Sequence, residues 1–153
     1  MIKKQQEILN IQCENKPKLR TFMTFKDFQT LPPHEGKPLS FVERKTMSKL
    51  WLGILPLRIE TARYMRPIIP ENQRVCCFNS GEVESKYYAL FKCSMYNKHR
   101  RSCLKKVFLP ANFIDLDEIE ILEIVFNKTE NVRHAAQYLV SVMDLQSRQK
   151  KIY

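Results

Sequence analysis

Apolar residues fall at helical spacing in several separate stretches of this chain, with breakers between them. Leu19, Phe22, Phe25 and Phe28 recur in this way, which predicts a short amphipathic helix over Lys18 to Phe28 carrying Lys18, Arg20 and Lys26. Residues 1 to 17 have few apolar anchors and run into Pro17, the pattern of a weakly ordered arm. The run Leu31-Pro32-Pro33-His34-Glu35-Gly36-Lys37-Pro38 breaks regular structure and reads as a linker loop. Ser40, followed three residues later by Glu43, has the form of a capping box. It predicts a second helix to about Gly53, with Val42, Met47, Leu50 and Trp51 as packing residues. Pro56, Pro67 and Pro70 then leave Arg58 to Tyr64 as at most a short helix.

A turn bearing cysteines follows at residues 74 to 96. Beyond its first half, Tyr87, Leu90, Phe91, Leu104, Val107 and Phe108 predict helix with a break near Cys93. Residues 107 to 127 place Leu116, Ile119, Leu122 and Val125 in an apolar row, predicting a helix with Asp115 as its cap. A last helix is predicted from about Glu130 to Arg148, with Val132, Ala135, Ala136, Leu139, Val142 and Met143 on one face and a basic tail over 150 to 153. The expected fold is therefore mostly α: residues 18 to 149 as one domain of four or five short helices around the cysteine turn, with Trp51, Phe91, Leu122 and Leu139 in the core. At 153 residues the chain is long enough to bury about 70% of its unfolded surface.

Charge adds a functional expectation. With 26 Lys and Arg against 16 Asp and Glu the net charge is +10, which favours a polyanionic partner, RNA or DNA, over an acidic small substrate. The surplus is concentrated: residues 85 to 106 hold seven cations, Lys86, Lys92, Lys98, Arg100, Arg101, Lys105 and Lys106, and no acid. Tyr87, Tyr88 and Tyr96 interleave with them as stacking platforms for unpaired bases. The competing reading is a solvated helix face with the tyrosines in the core. In a further alternative, the helix bearing Asp115, Asp117, Glu118, Glu120 and Glu123 folds against the basic segment and neutralises it.

Cysteines narrow the compartment. Cys13, Cys76, Cys77, Cys93 and Cys103 are odd in number, and the start Met1-Ile2-Lys3-Lys4-Gln5-Gln6 lacks the apolar region of a secretory leader, so an intracellular setting, nucleus or cytoplasm, is expected. The longest strongly apolar run, Leu50 to Leu57, is less than half the length of a membrane span, so no membrane partner is expected.

Around the cysteines the chain reads Arg74-Val75-Cys76-Cys77-Phe78-Asn79-Ser80-Gly81-Glu82-Val83-Glu84-Ser85-Lys86-Tyr87-Tyr88-Ala89-Leu90-Phe91-Lys92-Cys93. This stretch has Lys18-Leu19-Arg20-Thr21-Phe22 upstream and Pro56-Leu57-Arg58-Ile59-Glu60-Thr61-Ala62-Arg63-Tyr64 between. Together they resemble the zinc-binding region that follows the polymerase domain in non-LTR retrotransposon reverse transcriptases and in animal proteins derived from them. The family pattern is C-x2-C-x8-H-x4-C, then a short basic segment and a pair of helices. The likeness runs from about residue 18 to the C-terminus and is most specific over residues 56 to 96.

The resemblance implies a zinc knuckle whose four ligand positions are Cys76, Asn79, Tyr88 and Cys93. Two of these no longer carry zinc chemistry. Asn offers a neutral amide oxygen, and a phenol with a pKa near 10 is protonated at neutral pH and rarely binds zinc. Cys77 is adjacent to Cys76 and closes no chelate turn, while His99 and Cys103, four apart on one helical face, form a substitute pair that could join Cys76 and Cys93. Zinc is thus expected to be impaired or absent, with Tyr88 filling the space of the ligand and metal.

Catalytic readings fail on composition. Gly36, Gly53 and Gly81 are the only glycines and do not cluster, so no phosphate-cradling loop or dinucleotide fingerprint exists. The paired aspartates of a polymerase are absent, and Asp115-x-Asp117-Glu118 is better explained by a helix start than by magnesium. A thiol enzyme built on Cys103 and His99 lacks an orienting third residue. The expected function is a non-enzymatic nucleic-acid-binding accessory module of retroelement origin, or a remnant of one, against the alternative of a helical protein-interaction domain.

Overall fold

The computed structural model describes Ile11 and residues 38–78, 80–111 and 115–149, and within them the chain is mostly helical, with no strand. The expected arm, the helix over Lys18 to Phe28, most of the linker, Asn79 and the basic tail lie outside the described residues.

The first helix, α1 (Phe41–Trp51), begins at the predicted capping box: Ser40 Oγ accepts the Glu43 N–H at 3.2 Å, and Glu43 Oε2 accepts the Ser40 N–H at 2.7 Å. It ends as sharply. Gly53, at φ 63°, donates to the Leu50 carbonyl, and Ile54 donates to that of Lys49, the paired closure that a left-handed glycine permits. Thr46, Met47, Leu50 and Trp51 face inward. Val42, expected to pack, is 55% exposed instead, because the first turn of α1 overhangs the core and leaves Phe41 outside as well.

Leu55 and Leu57, both fully buried, carry the chain into α2 (Arg58–Thr61), which tightens into a 3-10 turn over Ala62–Tyr64. The cysteine turn then closes on one antiparallel bridge, Val75 to Val83, flanked by Cys76 N–H to Glu82 O and Glu84 N–H to Arg74 O, each 2.8 Å. Gly81 supplies its left-handed residue at φ 76°. The basic segment is helical but interrupted, as predicted: a turn ending in a wide π segment at Tyr88–Lys92, a break at Cys93, then α3 (Asn97–Cys103) with a 3-10 turn on either side. Two further helices follow, α4 (Glu118–Asn127) and α5 (Val132–Gln149). The cap of α4 is Asp117, not Asp115. Asp117 Oδ1 accepts from the N–H groups of Ile119 and Glu120 at 2.8 Å, and Glu120 reaches back to the Asp117 N–H.

Helix α5 is the hub, packing against α1, α3 and α4. Its inner stripe, Val132, Ala135, Ala136, Leu139 and Val142, is essentially solvent-free, and the two alanines let neighbouring backbones approach. Three polar side chains at its edge or along it hold one long segment in place. Gln146 Nε2 donates to Glu84 Oε1 at 2.9 Å, Tyr138 Oη to Leu90 O at 2.5 Å, and Asn131 Nδ2 to Phe108 O at 2.9 Å. As the numbers rise from 84 to 108 they fall from 146 to 131, so residues 84–108 run antiparallel along α5. Of the expected core, Leu139 is fully buried, Trp51 and Leu122 nearly so, and Phe91 packs partly buried against the cluster.

Candidate nucleic-acid interface and cysteine turn

Folding brings Cys76 and Cys93 together. Both are buried, with sulfurs 3.8 Å apart. Two zinc–sulfur bonds of ~2.3 Å at a tetrahedral angle separate their sulfurs by about as much, so this edge suits a metal pair as well as a thiol–thiol contact. The remaining donors decide between these readings. Cys77 is exposed, with its sulfur 3.9 Å from Glu84 Oε1. Tyr88 opens the π turn and packs, half-buried, on the core. His99 and Cys103, both half-buried on α3, do not complete the set, since no three His, Cys, Asp or Glu side chains converge on a common point among the described residues. Burial first, then the neighbouring Cys76, raises the Cys93 thiol from 9.0 to about 11, which keeps it protonated at neutral pH. Cys77 is likewise raised to about 11, by desolvation of its inner side and then by the Glu84 carboxylate. Cys76 and Cys93 thus bring two sulfurs together with no third donor beside them among the described residues, and the zinc-knuckle part of the expected fold is not supported.

Other contacts hold the turn. Glu84 is fully buried: Oε2 accepts the Arg58 N–H at 2.5 Å, and Oε1 accepts from Gln146. Arg74 donates through Nε to Ile69 O and through Nη1 to Ile59 O, at 3.0 and 2.9 Å. Nearby, the buried carboxylate of Glu60 pairs with Arg63 and, at 2.6 Å, with Lys86.

The seven cations of the basic segment divide in two. Lys86 is committed to Glu60. Arg100 turns inward, Nε donating to Leu90 O at 3.0 Å and Nη2 to Cys93 O at 2.9 Å, where the π turn and the break at Cys93 leave carbonyls in need of donors. Lys92, Lys98, Arg101, Lys105 and Lys106 are exposed, Lys92 lying 5.7 Å from the Tyr87 ring centroid. Along α3 and the turn after it, His99, Arg100, Cys103 and Leu104 are half-buried while Lys98, Arg101, Ser102 and Lys105 face water. The outward residues are spaced three and four apart, so Lys98, Arg101 and Lys105 form one stripe rising about 10 Å.

The tyrosines do not join it. Tyr96 has no exposed surface and meets Phe78 edge-on at 5.7 Å, which corrects its placement as a stacking platform, and burial pushes its phenol well above the ordinary range. Tyr87 is tilted against Phe91 at 5.4 Å, both rings part of the packing around the core. The acidic helix does not neutralise the stripe. Glu118, Glu120 and Glu123 are exposed, and the two ion pairs that join described residues both centre on Glu60.

Three structural residues escaped the sequence reading: Asn131, Tyr138 and Gln146. Their signal was polar atoms recurring at about two-turn intervals beside the apolar stripe of the last helix, where each needs a buried partner. No helix among the described residues is long and apolar enough to cross a membrane. The chain matches no family model, no curated protein and no solved structure.

Proposed function

We infer that this protein is a non-enzymatic, intracellular nucleic-acid-binding module, and that it descends from the tail of a retroelement reverse transcriptase. The observation that carries the binding reading is the outward stripe of Lys98, Arg101 and Lys105, flanked by exposed Lys92 and Lys106 and unpaired with the acidic helix. Cations in such a row displace condensed counterions from phosphates, and the affinity this gives falls with salt. With five cations engaged on a single strand, log K against log salt has a slope no steeper than about −3.5, since each phosphate contributes about −0.7. Lys98→Glu with Arg101→Glu and Lys105→Glu abolishes binding in this reading. Lys86→Gln leaves the slope unchanged, because Lys86 is engaged with Glu60. Binding that does not weaken between low and high salt refutes it.

A second reading, a helical protein-docking domain, draws on exposed apolar residues at the start of α1, Phe41 and Val42, and around Met65 and Ile68. Partner binding insensitive to the charge reversal and lost with Phe41→Ser would favour it over the first.

A further inference from the structure

Phe108 is 68% exposed, although both polar groups of its backbone are hydrogen-bonded by a buried side chain. Val107 ends the 3-10 turn in extended backbone (φ −78°, ψ 130°) and is buried, 8% exposed, whereas Phe108 after it stands out. The Asn131 side chain, 1% exposed, grips Phe108 from both sides: Oδ1 accepts its N–H at 2.7 Å, and Nδ2 donates to its carbonyl at 2.9 Å. Single exposed apolar side chains are common at protein surfaces; Phe108 differs in having its backbone fixed and exposed cations just before it in the chain. Phe108 lies three residues past Lys105 and two past Lys106, at the C-terminal end of the outward stripe. Phe41, equally exposed, sits instead beside its own Lys45 at the far helix start, 5.9 Å from ring to ammonium.

We propose that Phe108 is a stacking platform for an unpaired nucleobase, making the stripe a site for single-stranded nucleic acid; this rests on the nucleic-acid-binding function argued above. Phosphates of the strand lie along Lys98, Arg101 and Lys105, and the next base turns onto the ring. Every base has a π face, so the contact is tolerant of sequence, and a pre-fixed ring loses little freedom on binding. RNA and DNA share this chemistry.

The test is fluorescence anisotropy of the full chain with a short single-stranded RNA, the DNA strand of the same sequence and the matching DNA duplex, over a salt series. Phe108→Ala and Phe108→Leu are expected to weaken single-strand binding on the order of 5- to 150-fold, as for a lost base stack, with the salt slope and duplex affinity unchanged. Phe108→Trp, which keeps an aromatic face, is expected to retain it. Equal losses on strand and duplex, or no loss, overturn the platform while leaving the cation stripe standing if the Lys98, Arg101 and Lys105 reversal still abolishes binding. A wild-type chain with no salt-dependent affinity for any of the three probes removes both.

Discussion

Replacing Asn131 with alanine removes three hydrogen bonds at one stroke. Its amide bridges the Phe108 N–H (2.7 Å), the Phe108 carbonyl (2.9 Å) and the Ile124 carbonyl (2.9 Å), joining the end of the basic segment to the last turn of α4 at the start of α5. Each such bond contributes ~0.5–1.5 kcal/mol net, and an orphaned buried group costs ~1–3 kcal/mol. Phe108 is exposed and Ile124 half-buried, so the freed groups are partly resolvated. Asn131→Ala is therefore expected to cost about 2–3 kcal/mol, read as a lower urea midpoint at unchanged slope. Asn131→Asp separates hydrogen bonding from shape. It keeps an acceptor for the Phe108 N–H but turns a carboxylate oxygen toward two carbonyls, so at neutral pH it is expected to be no better than alanine. A carboxyl in that position is favoured protonated, which raises its folded pKa and makes the variant regain stability as pH falls. An alanine variant within about 0.5 kcal/mol of wild type, or an aspartate variant whose stability does not rise on acidification, refutes the assignment of Asn131 as the clamp.

Asp117→Ala is expected to cost about 0.5–2 kcal/mol through loss of the α4 cap, and Asp115→Ala less than about 0.5 kcal/mol, a contrast checked by chemical denaturation of the two variants side by side. Tyr138→Phe is expected to cost only about 1 kcal/mol, although its hydroxyl is fully buried, because the Leu90 carbonyl keeps its bond from Arg100 Nε at 3.0 Å; a loss beyond about 3 kcal/mol would contradict that. The Cys93 thiol is raised from 9.0 to about 11, so between those values the folded chain retains a proton the unfolded chain has released. Stability is then independent of this group below pH ~9 and declines as pH climbs toward 11, a decline that denaturation midpoints should show reduced in Cys93→Ala, with Tyr138, raised to about 12, adding its own share above pH ~10.

Local features of the fold were legible where a few adjacent residues carry the cause. Ser40-x-x-Glu43 announces α1, and the break at Cys93 shows in the interrupted apolar spacing. The cap of α4 was readable too, since Asp117-x-x-Glu120 has the same form as the box at Ser40, but Asp115 comes first in the sequence and draws the assignment. The candidate site was less legible because its residues are sorted by distant partners. Lys86 and Arg100 look no different from Lys98 and Arg101 in a count of charges. One is drawn in by Glu60, 26 residues away, and the other by carbonyls that only an irregular turn exposes. Tyr96 likewise reads as a stacking residue until Phe78 covers it, while Phe108 reads as part of a helical apolar pattern but follows the end of the last 3-10 turn and stands exposed.

The same long-range contacts explain how a turn resembling a metal knuckle keeps its place with the donors it has. In a zinc knuckle the ion fixes a short hairpin whose own hydrogen bonds are too few to hold it. Here the hairpin contributes one bridge, and the cross-link comes from Glu84 beside it: one oxygen takes the backbone N–H of Arg58 at the start of α2, and the other takes Gln146 on the hub helix. A buried carboxylate is tolerable when its lone pairs are filled, and removing one partner is then costly. Position of the turn therefore depends on Gln146 and Arg58, through Glu84. The basic segment begins immediately after Glu84 and is next tied to α5 at Leu90 and Phe108, so the orientation of the cation stripe follows from polar contacts to one helix.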